Sequence, residues 1–332
     1  MTFLRYFTKS TRRSTLGWFC LIGLLLASQS ASAKEISLIA APRDFALKEP
    51  DFPPPISGPL TYAITGGNPN WYIVAWGIPG GKLSSFAERR IGGKIVFSSR
   101  AAEAAVEIVH LPNGQVAYQL LQDGTPLPCE ENGQPRESDL LTGPNGQDAK
   151  SPEIPGLLLP PNKPLSLLTL THLVATATVT VQSGPTGSPK GCGVSQGSAL
   201  ISVLLNNPMT RQTLFYKVVL INVCGPQPKA RSMFCARSTQ RPWPVYYFRT
   251  NPFGVADPLP LVGERWLANN ERRTIRLDLL PRLIEHIRTG PNTMDHEPSH
   301  WNVTGYYNGQ NIWGDVTLTS QWEDVDLLAT MR

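Results

Sequence analysis

The stretch that decides how this chain is read is "HWNVTGYYNGQNIWGDVTLTSQWEDVDL", His300 to Leu327. It reads as two closing strands, rich in β-branched and aromatic residues. Trp301, Tyr306, Tyr307, Trp313 and Trp322 crowd into it, beside amides at Asn308, Gln310 and Asn311. Strand alternation buries about half of such aromatics and leaves the others on a surface. Trp301, Tyr306 and Trp322 are assigned to a core or its rim. Tyr307, Gln310, Asn311 and Trp313 are assigned to a surface. Sugars present C–H faces and fans of hydroxyls, so rings that stack and amides that both donate and accept suit them.

Immediately upstream, "DLLPRLIEHIRTG" (278–290) places Leu279, Leu280, Leu283, Ile284 and Ile287 at helical spacing. Asp278 is expected to cap this helix, Pro281 falls in its first turn, and Gly290 stands where it stops. Its leucine face should pack on the outside of a sheet. Further back come strand-like runs: "WYIVAWG" (71–77), "KIVFSS" (94–99), "AVEIVHL" (105–111) and "VAYQLLQ" (116–122). The turn "LPNG" between the last two signals a hairpin. "HLVATATVTVQS" (172–183), "SALISVLLN" (198–206), "QTLFYKVVLINV" (212–223), "VYYFRT" (245–250) and "RTIRLDL" (273–279) continue the series. Residues 127–163 read as loop throughout, with Cys129 as a staple. Strands this long, some apolar on both faces, predict two stacked sheets. The fold class is all-β, a two-sheet β-sandwich of jelly-roll type with one amphipathic surface helix near the C-terminus.

Residues 1–33 are set apart as a signal peptide. Arg5, Lys9, Arg12 and Arg13 form a basic start, Leu16–Ala27 is a short apolar run, and "ASQSASA" ends in small residues before Lys34. That run is too short to span a bilayer stably, and Phe19 before Cys20 argues against a lipid anchor. An exported protein, periplasmic or extracellular, without a membrane anchor after cleavage is expected. Residues 34–61 form a Pro-rich lead-in lying extended over the surface, and 62–328 a single sandwich domain. The whole chain holds 30 basic and 25 acidic side chains, a net +5; the signal removes four basic ones, leaving 26 against 25. No Lys/Arg run tracks phosphates, so nucleic acid is not an expected partner.

Four cysteines follow the signal: Cys129, Cys192, Cys224 and Cys235. An even number in an oxidising compartment favours two disulfides. Three pairings are open; locality favours Cys224–Cys235, leaving Cys129–Cys192. Zinc is the alternative, but no pair has Cys-x-x-Cys spacing. "HEPSH", His296–His300, spells the His-Glu-x-x-His of zinc proteases. That chemistry needs both histidines on one helical face, and Pro298 together with the flanking loop and strand leaves no helix there. No Gly-x-Ser-x-Gly elbow or nucleotide loop occurs. No cofactor is expected, though a structural calcium on a loop is compatible with such folds.

An amphipathic helix, a short loop and two closing strands resemble the end of glycoside hydrolase family twelve, the compact endoglucanase jelly rolls. In that family the strand after the helix carries a Gly-Phe-Glu-Ile-Trp-like sequence whose Glu is the general acid/base. The match is "GQNIWG", Gly309–Gly314, with Asn311 where that Glu would stand. The nucleophile's Tyr-Glu-x-x-Ile-Trp context finds a looser counterpart in "FYKVVLI", Phe215–Ile221, with Lys217 in the Glu position. The resemblance covers the last third of the chain. It implies a sugar-shaped groove without the family's chemistry, because Asn311 cannot transfer a proton and Lys217 cannot form a glycosyl ester.

The expected function is non-catalytic binding of a glycan or polysaccharide in an aromatic and amide-lined groove. Its contacts are Trp71, Trp76, Tyr216, Lys217, Tyr307, Gln310, Asn311 and Trp313. The alternatives are a polysaccharide-degrading hydrolase or lyase, using acids among Glu107, Glu264, Asp315 and Glu323, and an envelope assembly protein binding a protein partner.

Overall fold

A computed structural model describes residues 34–48, 60–64, 69–77, 83, 86–101, 103–125, 137–144, 157–158, 164–184, 196–224, 244–245, 252–257 and 267–332. In chain order the first strands are β1 (Glu35–Ser37), β2 (Phe45–Lys48), β3 (Leu60–Ala63), β4 (Trp71–Trp76), β5 (Ala87–Ile91) and β6 (Lys94–Arg100). Then come β7 (Ala104–His110), β8 (Val116–Asp123), β9 (Glu137–Pro144), β10 (Leu165–Ser166), β11 (Leu170–Ser183) and β12 (Gln196–Asn207). The last are β13 (Gln212–Cys224), β14 (Pro244–Val245), β15 (Pro252–Asp257), β16 (Arg272–Asp278), β17 (Asn302–Trp313) and β18 (Thr317–Met331), with helix α1 (Leu280–Arg288) before β17.

These strands make two sheets. The smaller runs β16-β11-β18-β8-β7-β6-β5, with β1 also on β18. The larger runs β14-β15-β13-β12-β17-β9-β4-β2-β3, with β10 also on β17. Pairing is antiparallel except for β13–β15 and β2–β4. The "LPNG" turn closes the β7–β8 hairpin, with Gly114 at positive φ and its N–H donating to Leu111 O at 3.0 Å. Alternation is clean along the first half of β18: Leu318, Ser320 and Trp322 turn inward, while Thr317, Thr319 and Gln321 lie on its other side, partly exposed. β12 is buried on both sides nearly throughout, which is why it reads as a continuous apolar run.

The inward faces meet in one apolar core that also takes in α1. Leu280, Leu283 and Ile287 are buried in that core, so the helix completes the inter-sheet packing instead of lying on the outside of a sheet. Its N-cap is Leu279, not Asp278; Asp278 serves from one position further out, accepting from the N–H groups of Leu280 and Leu173 at 3.2 Å each.

Three boundaries are corrected. The lead-in is part of the sandwich: β1 pairs with β18, and β2 pairs with β4 and buries Phe45 and Leu47 in the core. The loop expected over 127–163 contains β9, seated between β17 and β4. The closing strand runs to Met331. All described residues fall in one compact unit, Ala33–Arg332. Among them no helix is long and apolar enough to cross a membrane. Residues 1–33, expected to be a signal peptide, together with Cys129, Cys192, Cys235, most of "VYYFRT" and the Cys224 side chain, lie outside the described residues.

Candidate functional site on the outward face of the larger sheet

Parity along β17 sorts the residues on which the sequence reading rested. Tyr306, Asn308, Gln310 and Ile312 turn inward, where Asn308 meets Tyr118 and Gln310 meets β18. Tyr307, Gly309, Asn311 and Trp313 turn outward. On that outward side Tyr307 packs with Leu141, Leu200 and Leu204, an apolar half of the face with Phe215 at its margin.

The other half is polar. Asn311 stands directly opposite Ser198 on β12 and Asp139 on β9. The row continues to Asn222 on β13 beyond Ser198 and to Trp76 on β4 beyond Asp139. One step along, Trp313 lies between Gln196 and Glu137. Lys217 belongs to a different row, in register with Ser202 and through it with Tyr307. It is therefore four residues, about 13 Å, down the sheet from the Asn311 row.

The Ser198 hydroxyl donates to Asn311 Oδ1, which turns the NH2 of that amide to other partners. Asn311 itself is only 3% exposed, whereas Trp313, Glu137, Asp139 and Lys217 are each partly exposed. Among the described residues, no hydrogen bond reaches the Asp139 carboxyl. Burial pushes that carboxyl well above the usual range, the charge of Glu137 two residues away adds to the push, and Lys217 pulls the other way. Burial likewise raises the Tyr72 phenol, with the charge of Tyr307 contributing.

Of the expected contacts, the outward face holds Lys217, Tyr307, Asn311 and Trp313. Trp76 is on this sheet in register with Asp139, and its side chain lies outside the described residues. Three expectations are corrected. Trp71 is wholly buried, with its Nε1–H donating to Ala40 O at 2.6 Å and its ring near Phe45 and Tyr118. Tyr216 is wholly buried, its ring 5.3 Å from that of His286 on α1. Gln310 is buried between the sheets, where its Nε2 donates to Leu318 O at 2.9 Å and its Oε1 accepts from Ser320 at 2.7 Å. Neighbours on one strand cannot share a face, so Gln310 and Asn311 were never a pair of contacts.

Glu137 and Asp139 stand on β9, a segment whose composition predicts a loop. The available signal was the alternation in "ESDLLTG", with Ser138, Leu140 and Thr142 inward and Glu137, Asp139 and Leu141 outward. The acids weighed for an enzyme do not gather at the site. Glu107 pairs with Arg89 on the smaller sheet, Glu323 with Arg272, and Asp315 accepts from Thr125 in a loop; Glu264 lies outside the described residues. "HEPSH" forms a short 3-10 turn, Pro298–His300, and no helix. His300 Nδ1 lies 2.8 Å from Asp295 Oδ2, while His296 Nε2 lies 3.0 Å from Pro291 O, so the two histidines are separately engaged.

No family model and no curated protein matches the sequence. Among solved structures the chain is similar to a loop-swap mutant of Necallimastix patriciarum Xyn11A, at 7% identity and TM-score 0.41, covering 78% of this chain and 100% of that one. It is similar to the xyloglucanase domain of a type three effector from Sinorhizobium fredii, at 7% identity and TM-score 0.39, over 75% of this chain and 100% of that one. A cellulase derived from Cel12A of Rhodothermus marinus shares 12% identity at TM-score 0.38, over 78% of this chain and 100% of that one.

Proposed function

We propose that this chain is an exported protein that binds a glycan or polysaccharide on the outward face of the larger sheet and does not cleave it. The observation that carries this reading is the cross-strand row Ser198–Asn311–Asp139, with Trp313 one step along. It gathers a hydroxyl, an amide, a carboxyl and an indole, the set that meets sugar hydroxyls and C–H faces. The larger family of sugar-cleaving mechanisms needs two carboxyls with the scissile bond between them. On this face the described carboxyls, Glu137 and Asp139, are instead neighbours on one strand, and the residue opposite Asp139 is an amide. Export rests on the basic and apolar residues of 1–33, and two disulfides among Cys129, Cys192, Cys224 and Cys235 belong to the same reading.

The test is a glycan array on the purified protein, followed by isothermal titration with a selected oligosaccharide. Asn311→Ala should weaken binding by about 1–2 kcal/mol through loss of one hydrogen-bonding amide. Trp313→Ala should remove binding, since the ring supplies stacking area. Unchanged affinity in both variants, with both folded, places binding elsewhere. A competing reading, hydrolysis, draws on Asp139, whose raised carboxyl is a property general acids share. New reducing ends appearing in a polysaccharide digest, and disappearing in Asp139→Ala, would replace binding with hydrolysis.

A further inference from the structure

Asp139 lies mid-sheet, partly buried, between the Asn311 and Trp76 positions, and no described group hydrogen-bonds its carboxyl. Its neighbour Asn311 has Oδ1 occupied by the Ser198 hydroxyl and so offers its NH2. Apolar Leu141 flanks Asp139 on one side along the strand and Glu137 flanks it on the other, both on the same face. A sugar laid over this row would strip the remaining water from Asp139. An ionised carboxyl with Glu137 beside it resists that loss, whereas a neutral one accepts it and gains an O–H donor.

Resting on the carbohydrate reading above, we propose that Asp139 and Asn311 act as a pair of donors to adjacent hydroxyl oxygens of a neutral sugar, with Asp139 in its protonated form. Where Asp139 is ionised in the free protein, binding then takes up a proton. Among the described residues, the charged groups acting on Asp139 are Glu137 from its own strand and Lys217 from β13; Tyr72 on β4 and Tyr307 on β17 share its face four positions along, and β12 contributes uncharged Gln196 and Ser198. Burial and Glu137 favour the proton, and Lys217 opposes it from four residues down the sheet. Glu137 also disfavours a uronate, which is why the sugar is a neutral one.

The experiment titrates the protein with maltohexaose, cellohexaose, xylohexaose, mannohexaose and hexagalacturonate, from about pH 4 to about pH 10. For the neutral hexaose that binds, affinity should fall with rising pH, by up to about tenfold per pH unit for one linked proton. Asp139→Asn, which keeps a donor and cannot ionise, should bind like the wild type at acid pH and show a flat profile. Asp139→Ala should bind weakly at every pH. A flat wild-type profile, tighter binding of hexagalacturonate, or loss of binding in Asp139→Asn would overturn the donor pair while leaving carbohydrate recognition standing. Failure of all five sugars at every pH would overturn both.

Discussion

Inside the sandwich, single polar residues decide which amides are free to act. Tyr118 Oη donates to Asn308 Oδ1 at 3.0 Å and stands 2.9 Å from Asn308 Nδ2, joining the two sheets. Gln310 reaches Leu318 and Ser320, Trp322 Nε1–H donates to Ser320 Oγ at 2.8 Å, and Gln122 Nε2 donates to Ser138 Oγ at 2.9 Å. Each of these groups is buried, so each bond offsets a desolvation cost that would otherwise stand. Tyr118→Phe removes the partner of both Asn308 atoms and should destabilise the fold by about 1–3 kcal/mol in urea unfolding. An unchanged midpoint would mean that Asn308 finds another partner. Asp139 contributes with the opposite sign. Its folded carboxyl titrates above the unfolded one, so the folded state is favoured while the carboxyl is protonated and loses that advantage as pH rises through the usual carboxylate range and beyond. Asp139→Asn should therefore match the wild type in acid and exceed its thermal midpoint at neutral pH. A variant that is less stable at neutral pH would mean that the carboxylate is paired in the folded state.

At the scale of elements, β17 and β18 were readable because aromatic and β-branched residues alternate along them. β9 was not. "ESDLLTGP" opens with acids, ends in Gly143–Pro144 and sits in a stretch dense in turn-forming residues, so its propensity is that of a loop. Tertiary pairing overrides it: β17 supplies one edge and β4 the other, and Leu140 fills the core between them. Parity tells that Gln310 and Asn311 face opposite ways, but only packing against Ser320 and Leu318 tells which one faces in. The close fit of β9 on β17 depends on Gly309, whose φ is 148° and whose added Cβ would lie 2.3 Å from Leu140 O. Gly309→Ala should cost about 2–5 kcal/mol from backbone strain and overpacking together. It should also disturb Asp139, one position from Leu140, so sugar binding should fall with stability. A stable Gly309→Ala protein with unchanged binding would show that β9 is not locked to β17 at this point.

For the whole molecule, the two-sheet architecture followed from strand length and from runs apolar on both faces, and α1 from its leucine spacing. What the sequence left open was which surface each element covers, since hydrophobic spacing marks a buried stripe without naming its partner. Thus α1 was expected outside a sheet, and it lies in the common core instead; the Pro-rich lead-in was expected on the surface, and Phe45 and Leu47 prove to be core residues. Both errors have one cause: the sandwich recruits short segments outside its long strands to finish its interior. That makes Leu283 a test of unity. It is wholly buried at the point where α1 meets residues of both sheets in one cluster. Leu283→Ala should cost about 2–5 kcal/mol through lost transfer energy and a residual cavity. Because the core is shared, near-ultraviolet and far-ultraviolet circular dichroism should shift together along a single urea transition. Two separated transitions in the variant would show that the helix stabilises one sheet alone and that the sheets unfold independently.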